Sequence, residues 1–191
     1  MSGMAWCFAI GSLFFLVGPL DVYADLVGPT ADAVTFFIGS IFFTAGGFLQ
    51  IRNSRSRGER WAAVIQSFGT LYFNFSTARA IVVTTSDSAY DHVVWRPDLF
   101  GSICFLISGV IGLAAAGWRG WQPYVNLLGC VFFMISALAS FVWPSDSTEV
   151  SGTVAGVNTS LGAACFLICA LAGLRTSGSS GRSDAAAGAS R

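Results

Sequence analysis

Six long apolar runs divide this chain, and they restrict its fold more than any other feature. The runs cover residues 5–27, 31–51, 61–85, 98–117, 123–143 and 152–174. Each is long enough to cross a hydrocarbon core of about 30 Å as a helix. Only 10% of the residues are charged, against about 25% in soluble domains. The sequence therefore predicts an all-α integral membrane protein with six transmembrane helices, because unpaired backbone groups are not tolerated in lipid.

The six spans form one predicted domain, residues 1–175, followed by a short tail. Residues 176–191 read TSGSSGRSDAAAGASR, which is small, polar and of low complexity. Such a composition cannot bury enough apolar surface to fold, so we expect a disordered cytoplasmic tail. The first run lacks the preceding basic residues of a cleaved signal sequence. We therefore expect that run to be retained as a span.

The charged residues separate by sign between the two sets of loops. Arginine occupies the loop 51–60, the loop between the fourth and fifth spans, and the tail, whereas acids occupy the opposite loops. Loops rich in arginine stay cytoplasmic, so both termini are predicted to be in the cytoplasm. All six tryptophans fall at span ends, as is typical of a membrane interface.

One pattern recurs in every span: a glycine, then a small residue, then phenylalanine at position i+4 and a small residue at i+7. The glycines are Gly11, Gly39, Gly69, Gly101, Gly129 and Gly162. These positions share one helix face, and small residues let helices approach closely. The pattern predicts close packing and an internal repeat. The repeat unit is either three spans, since Gly11 and Gly101 are 90 residues apart, or a two-span hairpin, which the similar segments WAAVIQSFG and WQPYVNLLG favour.

Polar side chains within the spans are the candidate binding groups. Four of them form one stripe on the third helix at about 100° per residue: Gln66, Thr70, Asn74 and Thr77. Asn126 and Asn158 are further amides in the fifth and sixth spans. Such groups either hydrogen-bond between helices or line a solute path, and both interpretations stay open.

A second candidate set lies near the acidic loops and comprises Arg79, Asp91, Arg96 and Asp98. Arg79 lies about 27 Å along the third helix from Trp61, near the outer interface. We expect it to reach the headgroups or to pair with Asp91 or Asp98. In VWRPDLF, residues 94–100, Pro97 suits the first helical turn and Asp98 suits the positive helix start.

The chain offers no arrangement typical of catalysis. The spans contain no Asp, Glu or His at mid-depth that could act as a base, and no glycine-rich phosphate loop is present. The five cysteines lie in apolar runs without a CxxC pair, and His92 has too few neighbouring ligands for a metal site. We therefore predict no catalytic residue, no metal, no cofactor and no nucleic-acid partner.

Several stretches together resemble bacterial membrane proteins with the YrhK-like domain. They are GSIFFTAGGFLQ, VIQSFGTLYFNFST, VWRPDLFGSICFLIS, NLLGCVFFMISALASFVWP and SLGAACFLICAL, within residues 35–172. The resemblance implies a multi-pass protein of the bacterial inner membrane. It implies no activity, substrate or catalytic residue.

Two functions follow as predictions. The first is a non-enzymatic inner-membrane protein that acts in packing, assembly or membrane homeostasis, with the lipid bilayer, a second copy or another membrane protein as its partner. The alternative is a carrier or channel for a small solute, uncharged or cationic, that uses the polar stripe of the third span.

Overall fold

The computed structural model describes residues 2–84, 87, 89–143 and 149–188, with side chains described as far as Arg175. Its elements are α1 (Ser2–Val17), α2 (Asp21–Val27), α3 (Pro29–Asn53), α4 (Arg57–Ala80), a π-helix (Asp91–Trp95) that continues into α5 (Arg96–Ala115), α6 (Gln122–Ala139) and α7 (Gly152–Gly188). Within these residues, β-type pairing is limited to an isolated bridge between Val142 and Glu149. The predicted all-α class is confirmed.

Four helical segments are long and apolar enough to cross a membrane. They are Pro29–Asn53, Asp91–Ala115, Gln122–Ala139 and Gly152–Arg175. The bent pair α1 and α2 makes a fifth when it is taken as one span. Helix α4 is not among them, because polar residues such as Gln66 and Asn74 lower its hydropathy. The number of six spans stays a prediction.

The first predicted span, residues 5–27, is not one continuous helix. Helix α1 ends at Val17, and α2 begins at Asp21 with a bend of 87°. Gly18 and Pro19 lie at the break. Proline has no N–H for the helical hydrogen bond and its ring clashes with the preceding turn, so the helix cannot continue. The expectation of a single helix over 5–27 is corrected to two helices, Ser2–Val17 and Asp21–Val27.

The other predicted spans coincide with helices but differ from them at the ends. Pro29, Pro97 and Pro123 lie in the first turns of α3, α5 and α6, as predicted. Helix α4 begins at Arg57, because Ser56 Oγ accepts a hydrogen bond from the backbone N–H of Glu59 and caps the helix. Pro144, predicted to follow the fifth span, and the side chains of the predicted tail lie outside the described residues.

Six of the helices form a closed ring. Helices α1, α3, α4, α5, α6 and α7 each pack against the next in this order, and α7 packs against α1. Neighbours run in opposite directions, so the loops fall at two ends. The arginine end carries Arg52, Arg55, Arg57, Arg60, Arg119 and Arg175. The acidic end carries Asp21, Asp25, Asp32, Asp87, Asp91, Asp98 and Glu149.

The phenylalanines of the repeated pattern meet at the centre of this ring. Each of the six is at most 5% exposed: Phe15, Phe43, Phe73, Phe105, Phe133 and Phe166. Their rings form two triangles. One triangle joins α1, α4 and α6, the other joins α3, α5 and α7, and ring centroids within each are 5.8 to 6.5 Å apart. We call these six rings the phenylalanine core.

The glycines of the pattern allow close crossing within three helix pairs. In the pair α4/α5, a Cβ at Gly101 would lie 2.7 Å from the Phe73 ring and 3.0 Å from the Gly69 carbonyl oxygen. A Cβ at Gly69 would lie 2.7 Å from the Phe105 ring. The same reciprocal contact occurs in α6/α7. In α1/α3, a Cβ at Gly39 would lie 2.8 Å from the Phe15 ring, and one at Gly11 would lie 3.0 Å from the Gly39 carbonyl oxygen. We call these three pairs the hairpins.

The small residue at position i+7 links the two helices of a hairpin. In α4/α5, Ser76 Oγ donates to the Val94 carbonyl oxygen and Ser108 Oγ to the Ala62 carbonyl oxygen, both at 2.8 Å. Each acceptor lies seven residues before the glycine of its own helix. The corresponding donors in α6/α7 are Ser136 and Cys169. In each of these two hairpins, an approximate two-fold axis at the glycine crossing therefore relates one helix to the other.

Candidate functional site

A cavity of about 500 Å³ lies inside the ring, between the phenylalanine core and the arginine end. All six ring helices contribute to its wall. Phe8 and Phe166 line it on the side of the core, and Arg55 and Glu59 line it at the connection between α3 and α4. This volume is enough for a small organic molecule.

The wall of this cavity is rich in side-chain amides. They come from three helices: Gln50 and Asn53 from α3, Gln66 from α4, and Gln122 and Asn126 from α6. Each amide carries both a donor and an acceptor. The charged residues in the wall, Arg55 and Glu59, lie at the arginine end, and the deeper wall is uncharged. The cavity therefore matches an uncharged molecule that has both donors and acceptors.

Two of these amides differ in how firmly they are held. Gln66 is buried, and its Oε1 accepts a hydrogen bond from Ser108 Oγ at 3.3 Å. Asn126 has only a weak contact, from Nδ2 to Cys130 Sγ at 4.0 Å. Gln66 is thus a fixed part of the wall, whereas the amide of Asn126 remains available to a ligand.

Gln50 presents an unused acceptor. Its Oε1 is buried and has no hydrogen-bond partner within the described part of the chain. A buried acceptor without a partner is costly, so Gln50 carries an unsatisfied polar atom within the cavity wall. Cys169, in the same wall, is already engaged, since its Sγ donates to the Gln122 carbonyl oxygen at 3.5 Å.

The predicted polar stripe of α4 is divided between two roles. Gln66 lines the cavity, but Thr70, Asn74 and Thr77 do not. Thr70 Oγ1 donates to the Ser67 carbonyl oxygen of its own helix at 2.8 Å. Thr77 Oγ1 lies 3.1 Å from Ser40 Oγ of α3. Two members of the stripe, Asn74 and Thr77, therefore belong to the contact between α3 and α4.

Asn74 is the strongest of these contacts. With its amide turned so that Nδ2 faces α3, it donates to the Ser40 carbonyl oxygen at 2.9 Å and accepts from Thr44 Oγ1 at 2.9 Å. Asn158, grouped with the other amides by sequence, differs from them. Its Nδ2 donates to the Val154 carbonyl oxygen of its own helix at 2.8 Å, and it does not line the cavity.

The candidates near the acidic end form one ion pair. Arg96 Nη2 lies 2.8 Å from Asp91 Oδ2, and within the described residues Arg79 and Asp98 form no ion pair. Among the described residues, Asp91 therefore pairs with Arg96 and not, as expected, with Arg79. Asp91 and Arg96 are five residues apart across a π-helix, whose i to i+5 geometry brings them together, and Arg79 is exposed.

Burial also affects two titratable groups at the acidic end. It raises the pKa of the Glu149 carboxyl above its ordinary value. The pKa of Tyr90 is raised by burial first, and then by the negative charges of Glu149 and Asp98. The Tyr90 hydroxyl therefore stays protonated and can donate a hydrogen bond. Among the described residues, no group of three His, Cys, Asp or Glu side chains could hold a metal ion.

No family model, curated protein or solved structure matches this chain. The function is therefore inferred from the geometry of the cavity.

Sequence reasoning missed Asn53 and Gln122, which complete the amide wall. A positional signal could have indicated part of this wall. Gln66 and Asn126 each lie three residues before the glycine of their repeat, on helices that start at the arginine end. Equivalent positions in a repeat face the same region, so two amides there indicate a shared polar site.

Proposed function

We propose that this chain is a multi-pass protein of the bacterial inner membrane that binds a small, uncharged polar solute in the amide-lined cavity. The observation that carries this proposal is the convergence of five amides from α3, α4 and α6 on one cavity of about 500 Å³. A binding site of this kind needs a few convergent polar groups in an otherwise apolar wall.

The membrane setting of this proposal includes six crossing helices, with both termini and the arginine end in the cytoplasm. The distribution of arginine supports this orientation. The outer face of α4 supports its inclusion as a span, because Phe68, Leu71 and Phe75 are exposed there while the polar residues contact neighbouring helices. The resemblance to YrhK-like proteins agrees with this setting.

The wall chemistry supports binding rather than catalysis. The deep part of the cavity holds amides, a thiol and apolar groups, and the only carboxylate in the wall, Glu59, lies near the arginine end. Glu59 Oε2 also accepts a hydrogen bond from the Arg55 backbone N–H at 2.8 Å. Hydrolysis would need a nucleophile with an adjacent base or a metal. We propose that the protein is not an enzyme.

Saturation-transfer NMR on the purified protein tests this proposal, since it detects weak ligands directly. Acetamide and glycerol serve as neutral probes, and tetramethylammonium and acetate serve as charged ones. We expect transfer to the neutral probes in wild type, loss of it in Asn126→Leu, and its retention in the control Asn158→Leu. Equal transfer to all variants would contradict binding in this cavity.

An accessory role in assembly is the second candidate. The observation in its favour is that the phenylalanine core closes the inner end of the cavity, while Asn74 and Thr77 hold helices together. If none of the neutral probes binds, this role becomes the better interpretation. It predicts a reproducible second copy or membrane-protein partner after chemical cross-linking in intact membranes.

A further inference from the structure

The phenylalanine core separates the cavity from the acidic end. The two triangles are also joined to each other within every hairpin, where the two rings are 4.9 to 5.4 Å apart. Rings at these separations are in contact and leave no room for a solute between them. An apolar constriction of this kind excludes water and polar molecules until its side chains move.

Polar side chains continue the same axis beyond the core. Gln66 and Asn126 lie seven residues before the core rings Phe73 and Phe133, and positions seven apart share a helix face. Gln66 and Asn126 lie on the side of the phenylalanine core that faces the arginine end. The helices that run in the opposite direction place Asp98 and Thr159 at the same position, seven residues before Phe105 and Phe166.

The approximate two-fold axes of α4/α5 and α6/α7 therefore put polar groups on both sides of the phenylalanine core, whereas α1/α3 has Phe8 and Phe36 at these positions. Thr159 Oγ1 lies 2.6 Å from Ser136 Oγ of the partner helix, which fixes its hydroxyl in this contact. Asp98 lies in the first turn of α5, at the acidic end. Thr159 therefore holds α6 and α7 together, whereas packing of the rings does not require the carboxylate of Asp98 on the same axis.

We propose that the phenylalanine core is the closed gate of a path along the axis of the ring, and that the protein conducts its neutral solute across the membrane. The path leads from the amide-lined cavity, through the core, to the side chains of Asp98 and Thr159. Movement of the rings away from the axis opens it. The proposal depends on the solute-binding function above, because the cavity is the entrance to the path.

Solute flux into proteoliposomes, measured by stopped-flow light scattering with acetamide and glycerol, tests the gate. The double variant Phe133→Ala/Phe166→Ala removes one ring from each triangle within a single hairpin. The control Phe68→Ala/Phe100→Ala removes two exposed rings of α4 and α5. We expect the gate variant to be faster than wild type by about tenfold, a barrier lowered by about 1.4 kcal/mol, and the control to equal wild type.

Two results would overturn the gate. One is a folded gate variant that is no more permeable than wild type, and the other is a wild type already as permeable as that variant. Saturation transfer on the same samples separates this failure from failure of the binding function: transfer that persists without faster flux removes only the gate. If the alanine variant does not fold, Phe133→Leu/Phe166→Leu retains apolar volume, and its flux must lie above that of wild type.

Discussion

Ser12 and Ser136 are both buried serines, but only one of them has hydrogen-bond partners. Ser12 is 0% exposed, and its hydroxyl has no partner within the described residues. Ser136 Oγ donates to the Ala155 carbonyl oxygen at 2.9 Å and lies 2.6 Å from Thr159 Oγ1. An unsatisfied buried hydroxyl costs free energy, whereas removing a bonded one leaves its former partners unsatisfied.

We therefore expect opposite effects from the same substitution at these two positions. Ser12→Ala should leave the free energy of unfolding unchanged or raise it. Ser136→Ala should lower it by about 1–3 kcal/mol. The thermal midpoints of both variants in the same detergent measure the difference. Equal losses of stability would mean that the Ser12 hydroxyl has a partner, for which a bound water is the candidate.

Asn74 and Asn158 form a second matched pair. Asn74 bonds across to α3, whereas Asn158 bonds to a backbone carbonyl one turn earlier in its own helix. Asn74→Leu should lower the free energy of unfolding by about 0.6–2 kcal/mol, the range measured for polar contacts between membrane helices. Asn158→Leu should have little effect. A thermal midpoint for Asn74→Leu equal to that of wild type would remove its assigned role in helix packing.

The sequence indicated the polar residues of the spans but not which neighbour each one meets. At about 100° per residue, Gln66 and Asn74 are about 80° apart around the helix axis. Gln66 therefore meets Ser108 of α5 and borders the cavity, whereas Asn74 meets Ser40 and Thr44 of α3. Which helix lies on each side follows from the closed ring, which periodicity along a single helix cannot reveal.

At the scale of the helix, the repeated glycines set how closely the helices of a hairpin approach. A Cβ at Gly162 would lie 2.6 Å from the Phe133 ring and 3.0 Å from the Gly129 carbonyl oxygen. The backbone atom cannot move without separating α6 from α7. Gly162→Ala should therefore lower the free energy of unfolding by about 1–3 kcal/mol.

Gly112 provides the control for this prediction. A Cβ there would have only the Ala62 Cβ nearby, at 3.9 Å, which is an ordinary contact. Gly112→Ala should be neutral or slightly stabilising, because alanine favours the helix. Thermal midpoints of the two variants decide the matter. Comparable losses of thermal stability in both variants would contradict the view that close helix packing requires glycine at position 162.

Helix existence could be predicted from the sequence, but two helices show where apolar length is misleading. The run 5–27 is mostly apolar, yet Gly18 and Pro19 end α1 after Val17. The local backbone chemistry of proline outweighs the hydropathy of the run. Helix α4 shows the opposite case. Its polar residues lower its hydropathy, yet it forms one continuous helix that packs between α3 and α5.

For the whole molecule, the two triangles of phenylalanine rings bear on the repeat unit. Each triangle takes one ring from each hairpin, so the centre of the molecule has approximate three-fold symmetry. Two inverted halves of three helices would not by themselves produce this arrangement. We propose that the repeat arose from a hairpin, and the shared i+7 hydrogen bonds of α4/α5 and α6/α7 support it.

The last prediction concerns the orientation in the membrane, which depends on whether α4 crosses it. If all six ring helices cross and the N-terminus is cytoplasmic, the segment after α4 lies outside and the C-terminus lies in the cytoplasm. Alkaline phosphatase fused after Asp87 should then be active in a bacterial host. A green fluorescent protein fused to the C-terminus of the full chain should fluoresce, because it matures only in the cytoplasm.

A helix α4 that does not cross would reverse both signals, since every later segment would change sides. The energetic argument is against that reversal. Leaving α4 out would expose the phenylalanine core and the Asn74 contacts to lipid or water, and it would move Arg119 and Arg175 to the outer side, against the usual distribution of arginine. An inactive phosphatase fusion after Asp87, with a dark C-terminal fusion, would contradict six crossings with both termini in the cytoplasm. A phosphatase fusion in the loop 51–60 then separates five spans, where it is inactive, from the reversed orientation of six spans, where it is active.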